Sequence, residues 1–193
     1  AGSGYSEVQN PESLSYSNPE EAMLLLSHLQ KVLEQYDSRS PAPPDPRRGN
    51  SQRTDEVKRD GGSSFGGKGA RVGQEPLRIG IIAPYKQQTE FIRNYILENE
   101  LFKDSPHHFS VRTVDGFQGQ ERDIMCISMT RSNDNGEIGF LADTRRMNVA
   151  LTRAKRKLLV FGDSATLANH GFYKSFLDYV EEIGGYRSMW EFV

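Results

Sequence analysis

The sequence predicts an α/β fold in which a mainly parallel central sheet is covered by helices on both faces. Two observations predict this fold. Short apolar, β-branched segments alternate along the chain with segments whose apolar residues recur at helical spacing. The chain has 193 residues, which suits one domain of about 100–200 residues. We therefore expect a single domain spanning residues 1–193.

The individual elements follow from local patterns. Asn18, Pro19 and Glu21 supply a capping residue, a first-position proline and an acid, so a helix is expected from there to about Tyr36. Apolar runs predict strands, and helical spacing predicts further helices. The expected strands are 78–83, 109–114, 124–129 and 158–161, and the further helices are 86–98, 144–154 and 172–183.

Residues 38–76 differ in composition from the rest of the chain. They hold seven of the 18 glycines and five of the nine prolines, and few large apolar side chains. Such a segment cannot bury enough surface to offset the entropy lost on ordering. We expect a disordered insertion within the domain, and a flexible surface loop without a function of its own is the simplest interpretation.

Composition excludes several protein classes. The net charge is −2, and no apolar run reaches the ~20 residues needed to cross a bilayer, so no membrane partner is expected. The single cysteine, Cys126, excludes a disulfide framework, and the four histidines lack zinc-ligand spacing, so no metal site is predicted. The chain starts without Met or a secretory pattern. We expect a piece of a longer intracellular protein, cytoplasmic or, in a eukaryote, nuclear.

Residues 62–69, GSSFGGKG, nearly match the phosphate-binding loop G-x-x-x-x-G-K-[ST]. The last position is Gly69, so the hydroxyl that would hold Mg²⁺ is missing. Neither a strand before the segment nor a good helix after it is predicted. We interpret the match as accidental.

Three other segments are candidates for a site because ligands of parallel sheets bind at strand ends. In the first, Tyr85 and Lys86 follow the strand 78–83 and open a helix, where backbone amides favour anions. An ordinary loop with an exposed Tyr and Lys explains the same residues.

The second segment is 114–123, VDGFQGQERD, between two predicted strands. Gly116 and Gly119 permit a close approach of backbone to a ligand. The Glu121 carboxylate is suited to accept hydrogen bonds from ribose hydroxyls. A plain turn explains the glycines equally well.

The third segment is 145–155, RRMNVALTRAK. Arg146 and Arg153 are seven residues apart, so on a helix they share a face, and guanidinium groups bind phosphate oxygens in a bidentate fork. A solvated helix face is the alternative.

Together the segments IIAPYKQQ, VRTVDGFQGQERDIMCISMTRSN and GFLADTRRMNVALTRAKRKLLVFGD resemble motifs IV, V and VI of superfamily 1 helicases. The similarity is to the branch with the nonsense-mediated-decay helicase, senataxin and the immunoglobulin μ-binding helicase. It covers residues 1–37 and 77–193. The resemblance implies the second, C-terminal, of two RecA-like motor domains.

The resemblance also implies residue functions at a site for ATP with Mg²⁺. Tyr85 would stack on adenine, Lys86 would lie near the γ-phosphate, and Gln88 is a weaker candidate nearby. Lys86 stands where other members have Arg, so it keeps the charge and loses the bidentate fork.

Further residues are implied from the second and third segments. Gly119 and Glu121 would contact phosphates and ribose, and Arg153 would be the arginine finger, a group worth about 10³–10⁵ in rate. Arg146 and Asn148 would either position that finger or link it to the nucleic-acid groove.

For single-stranded DNA or RNA, the resemblance implies contacts near the strand ends, with sequence-independent affinity. The implied residues are Thr113, Asp115, Thr130 and Arg131. The family's Walker A loop and Walker B acid do not occur in this sequence, so the first motor domain is the expected partner that supplies them and holds the metal.

Three functional interpretations follow. The first is the C-terminal half of an ATP-dependent helicase, for which the resemblance implies movement 5′ to 3′, as is general in that branch. The second is a RecA-like module that binds nucleic acid or protein without turnover. The third, a stand-alone nucleotide enzyme, requires a working loop at 62–69.

Overall fold

The computed structural model describes residues 5–38, 75–117 and 120–191. Six strands and six α-helices occur in these ranges. In chain order they are β1 (Val8–Gln9), β2 (Tyr16–Ser17), α1 (Pro19–Ser38), β3 (Arg78–Ala83), α2 (Lys86–Glu98), α3 (Glu100–Lys103), β4 (His108–Thr113), β5 (Arg122–Ser128), α4 (Thr144–Leu151), β6 (Ala154–Phe161), α5 (Ser164–Leu167) and α6 (Gly171–Glu182). Most of the segment 38–76 and all of the loop 62–69 lie outside the described residues.

The predicted fold class is confirmed. Four strands form one parallel sheet in the order β4-β3-β5-β6, and β1 pairs with β2 in a separate antiparallel hairpin. Helices α1 and α2 cover one face, where Leu25, Leu29 and Ile92 pack on Ile81. Helices α4 and α6 cover the other, against Ile82 and its neighbours. The alternation of Ile81 and Ile82 between faces is what a strand buried on both sides requires.

Local sequence signals decide where α1 begins. The Asn18 side chain accepts a hydrogen bond from the backbone N–H of Glu21 at 3.0 Å, so the predicted capping is confirmed. Glu21, the acid expected at the helix start, lies in the first turn and is buried.

Two predicted boundaries are wrong around residue 154. The helix expected over 144–154 ends at Leu151, and the strand expected at 158 already begins at Ala154. The reason is pairing: Ala154 lies opposite Arg122, and Lys157 opposite Ile124, in the parallel ladder. Because β6 is an edge strand of the described sheet, polar lysines and arginines are tolerated in its first half.

The strand order reverses between β3 and β5, because β4 lies on one side of β3 and β5 on the other. Such a switch point opens a crevice at the carboxyl ends of the strands. Because β4 and β5 are both parallel to β3, the chain has to return from the carboxyl edge, at Thr113, to the amino edge before β5 begins.

His107 joins the two chain segments that flank residues 39–74. Its Nδ1 accepts a hydrogen bond from the backbone N–H of Leu77 at 3.2 Å, and its Nε2 lies 3.3 Å from the Asp37 carboxylate. The Tyr36 hydroxyl donates to the carbonyl of Glu75 at 3.4 Å. Burial lowers the pKa of His107, and Asp37 acts in the opposite direction. The neutral His107 ring therefore holds together the two segments that flank the insertion.

We expect deletion of residues 40–74 to change the melting temperature by only a few degrees, because the contacts of His107 already hold both flanking segments together. His107→Ala is the comparison variant and should lower stability by about 1–3 kcal/mol, since it leaves the buried Leu77 N–H unpaired. Thermal unfolding followed by circular dichroism measures both. Loss of cooperative unfolding in the deletion variant would contradict the expectation.

Candidate functional site

The structure divides the predicted site residues between two opposite edges of the sheet. Ala83 pairs with Thr113 at the carboxyl edge, whereas Arg122 pairs with Ala154 at the amino edge. The seven residues of β5 separate these edges by about 20 Å at roughly 3.3 Å per residue. The expectation that Tyr85 lies beside Glu121 and Arg153 is therefore not met within this chain.

A cavity of about 440 Å³ opens at the carboxyl edge. Its wall includes four predicted site residues, Tyr85, Lys86, Thr113 and Asp115, and a fifth, Arg146, from the first turn of α4. These residues reach the cavity from the ends of β3 and β4 and from the start of α4. The volume lies within the range of small-ligand sites.

Tyr85 forms the inner wall of this cavity and is only 3% exposed. Its ring packs edge-on against Tyr16 at 5.3 Å and obliquely against Phe140 at 5.4 Å, measured between ring centroids. Its hydroxyl lies 3.3 Å from Arg131 Nη1 and 3.4 Å from the backbone N–H of Phe140, and both donate to it. The ring is thus occupied by protein contacts, and stacking on adenine would have to displace them.

Arg131 is buried although it carries a charge. Its Nε donates to the Glu7 carboxylate at 2.8 Å, and its guanidinium lies 4.4 Å above the Tyr16 ring. Burial alone lowers its pKa, but hydrogen bonds to Glu7 and Tyr85 outweigh burial and raise it. A predicted nucleic-acid contact, Arg131 is in this structure a support for the cavity wall.

Glu21 anchors the loop that follows β5. Its Oε1 accepts hydrogen bonds from the Ser128 hydroxyl at 2.5 Å and from the Thr130 backbone N–H at 2.9 Å. Thr130 is fully buried and has φ of 69°, in the left-handed region that a β-branched residue rarely adopts. Thr130, a second predicted nucleic-acid contact, therefore faces the interior.

Gln88 belongs to the same interior network. Its side-chain amide donates to the carbonyl of Asn18 at 3.0 Å and to the Ser128 hydroxyl at 2.9 Å, and its oxygen accepts from the Asn18 N–H at 2.8 Å. With no exposed surface, Gln88 connects α2 to α1 and β5 and does not reach the cavity.

The two cations of the cavity both have acidic partners. Lys86 pairs with Glu90 at 3.6 Å, and its side chain is 81% exposed. Arg146 lies 3.2 Å from Asp143 and 3.5 Å from Asp115. The local charge is consequently close to balanced.

The second group lies at the amino edge. The Glu121 carboxylate pairs with Lys155 at 3.7 Å, and both side chains are more than half exposed. The carbonyl of Arg153 accepts from the Arg122 N–H at 3.1 Å, which places Arg153 next to Glu121 along the sheet. The Arg153 Nε donates to the carbonyl of Val149 at 3.1 Å, and its side chain is half-buried.

The predicted shared helical face of Arg146 and Arg153 is wrong, because α4 ends at Leu151 and Arg153 lies in the turn before β6. Asn148 is exposed between them on α4. Gly119 lies outside the described residues. Arg146 thus belongs to the carboxyl edge and Arg153 to the amino edge.

Two residues of the cavity region escaped the sequence interpretation. Phe140 is 64% exposed at the cavity wall. The sequence feature that could have drawn attention to it is the glycine before it, because Gly139 adopts a φ of 53°. Glu7 was not singled out, because only the fold brings it beside Arg131, Ser132 and Asn133.

In the described ranges, no helix is long and apolar enough to cross a membrane. The same residues contain no group of three or more His, Cys, Asp or Glu side chains arranged to hold a metal ion.

Comparison with known proteins gives consistent relatives. The AAA domain family matches residues 3–165. DNA-binding protein SMUBP-2 of Rattus norvegicus is 31% identical over 193 residues, all of this chain and 15% of that protein. ATP-dependent helicase NAM7 of Saccharomyces cerevisiae is 41% identical over 115 residues, 59% of this chain and 12% of the helicase. ATP-dependent helicase upf1 of Schizosaccharomyces pombe is 41% identical over 110 residues, which are 56% of this chain and 12% of that helicase.

These comparisons confirm the resemblance to superfamily 1 helicases of this type. The chain spans less than one sixth of the length of the relatives it matches.

Burial of Glu21 predicts a specific pH dependence of stability. Burial raises the pKa of Glu21 from its ordinary 4.5 to about 7, although hydrogen bonds from Ser128 and Thr130 lower it. Between these values the folded state binds more protons than the unfolded state, so the free energy of unfolding falls as pH rises, by at most about 1.4 kcal/mol per unit. Glu21→Gln should remove this contribution.

Urea unfolding at several pH values from 4.5 to 7.5 measures the slope. Glu34→Gln is a matched control, because Glu34 lies exposed on the same helix and should leave the slope unchanged. A slope in Glu21→Gln equal to that of the unsubstituted chain would contradict the assignment.

Proposed function

This chain belongs to the AAA domain family, and we propose that it is the second, C-terminal motor half of an ATP-dependent nucleic-acid helicase. Its partners are single-stranded DNA or RNA and a first motor domain of the same protein, and it moves 5′ to 3′ inside the cell. Homology to ATP-dependent helicases supports this proposal.

The observation that carries the proposal is the amino-edge group. Arg153 donates its Nε–H to the carbonyl of Val149, and the residue is partly exposed in the turn before β6. Glu121 and Lys155 present a carboxylate and an ammonium group at the same edge. An always-charged guanidinium on the same sheet edge as a hydrogen-bond acceptor suits a phosphate chain and a ribose.

ATP with Mg²⁺ is the proposed cofactor, and when bound it supplies the phosphoryl group that is transferred to water. Arg153 would donate hydrogen bonds to phosphate oxygens as the arginine finger, and Glu121 would accept from the ribose. Gly119 and Asn148 complete the proposed contacts. The first motor domain would hold the metal and most of the nucleotide.

The carboxyl-edge cavity is the proposed strand-binding surface. Thr113, Asp115, Lys86 and Arg146 line it. Thr130 and Arg131 would act from beneath, by fixing the loop after β5, instead of touching the strand. Tyr85 and Gln88 are likewise supports, which separates them from the proposed ATP site.

A module that binds nucleic acid without turnover is the second candidate. The exposed cavity supports it, because strand binding there needs no hydrolysis. The amino-edge arginine favours the motor, since a pure binder has no use for a finger on a distant edge.

For the motor, we expect Arg153→Ala to lower kcat by about 10³-fold or more when this chain is joined to its first motor domain, with nucleotide affinity comparatively unchanged. The reason is that the finger neutralises charge that develops in the transition state. Steady-state hydrolysis with saturating single strand measures the effect. Arg187→Ala, an exposed arginine paired with Glu191, is the control. An unchanged kcat would remove the finger assignment.

The isolated chain should show little or no ATPase activity, because half of the ATP site is supplied by the first motor domain. Phosphate release from purified 1–193 with Mg²⁺ and single strand tests this. Robust turnover that Lys68→Ala abolishes would instead identify residues 62–69 as a working phosphate loop.

A further inference from the structure

Phe140 is the exposed aromatic side chain among the described residues that line the carboxyl-edge cavity, and it lies beside the buried Tyr85 ring. It is 64% exposed, whereas the Tyr85 ring that packs against it is almost fully buried. Exposing a phenyl ring forfeits the free energy gained by burying it, about 1.5–3 kcal/mol. The fold nevertheless supports this ring from behind and leaves its outer side open.

The backbone that carries Phe140 is tightly specified. Gly139 adopts φ of 53°, and a Cβ there would collide with the guanidinium of Arg131 and the hydroxyl of Tyr85. The same hydroxyl accepts a hydrogen bond from the Phe140 N–H at 3.4 Å. Only glycine fits at 139. The position of Phe140 is therefore fixed by the backbone at Gly139 and by the buried side chains of Arg131 and Tyr85.

The charge of the cavity limits what phosphate contacts contribute. Arg146 already faces Asp115 and Asp143, and Lys86 faces Glu90. A strand's phosphates must compete with these carboxylates for the cations. Binding of a single strand here therefore needs a second, non-ionic contribution, which an exposed aromatic ring supplies by stacking on a base.

We propose that Phe140 is the base-stacking residue of this cavity, on which a nucleobase of single-stranded DNA or RNA stacks while Tyr85 and Gly139 hold the ring in place. This inference rests on the proposed strand-binding function of the carboxyl edge. It assigns the stacking to Phe140 and a positioning function to Tyr85. A base of the strand fits better than the base of ATP, because the proposed ATP contacts lie about 20 Å away across the sheet.

The test uses the full 193-residue chain and four fluorescein-labelled 12-mers: oligothymidylate, oligouridylate and an abasic strand of each backbone. Fluorescence anisotropy at fixed low salt gives the dissociation constants. Phe140→Ala should weaken binding of the base-containing strand by about tenfold, as loss of one stacked base predicts. It should leave the abasic strand unchanged, since that strand offers only phosphate and sugar.

Three further variants separate stacking from structure. Phe140→Tyr keeps the ring and should bind within about twofold of the unsubstituted chain. Tyr179→Ala removes another exposed aromatic residue, on α6, and should have no effect. Tyr85→Phe keeps the ring and removes the hydroxyl that accepts from the Phe140 N–H and from Arg131, and we expect a loss smaller than that of Phe140→Ala, confined again to base-containing strands.

Several results would overturn the proposal. Equal loss of abasic and base-containing strands in Phe140→Ala would mean that the ring acts on the backbone or the fold. No loss on either strand would mean that the ring is not a contact. Loss of ATP affinity instead of strand affinity would mean that the base stacked on Phe140 is that of ATP and not one of the strand. If the unsubstituted chain binds none of the four strands, strand binding itself fails, and that outcome is distinct from a failure of Phe140 alone.

Discussion

A single buried carboxylate organises the carboxyl edge of this domain. Glu21 is almost fully buried, so both desolvation and unpaired polar atoms around it would be costly unless donors surround it. The Ser128 hydroxyl and the Thr130 N–H supply those donors, and Gln88 ties the same hydroxyl to α2. Because α1, α2 and β5 meet at this point, the position of one acid fixes how three elements join.

The consequences reach the cavity in steps. The hydrogen bond from the Thr130 N–H to Glu21 holds Thr130, a β-branched residue, in the left-handed region. That backbone conformation costs of order 1–3 kcal/mol and persists only where the surrounding structure enforces it. The turn at Thr130 directs the Arg131 side chain into the interior, where it donates hydrogen bonds to Glu7 and Tyr85. Tyr85 in turn holds the backbone of Phe140. An interior polar network thus sets the shape of an exposed surface.

The sequence predicts the framework well and the chemistry of individual side chains less well. Strand β3 and helix α2 have the predicted bounds, because an apolar run and helical spacing are local signals. The first half of β6 was missed, since Lys155 and Arg156 look polar and only an edge position accommodates them. Tyr85 and Gln88 follow a strand end as predicted, but no local pattern tells a residue that faces the cavity from one that supports its wall.

The separation of the two edges bears on how such a domain would work as a motor. Helix α4 begins beside the cavity, where Arg146 lies near Asp115, and it ends at Leu151, two residues before Arg153. Its eight residues span about 12 Å at 1.5 Å per residue. Met147 and Ala150 bury its inner face against the sheet, so the helix does not slide independently. A rotation of the domain that brings Arg153 toward or away from a nucleotide must therefore also displace the cavity, and with it any strand held on Phe140.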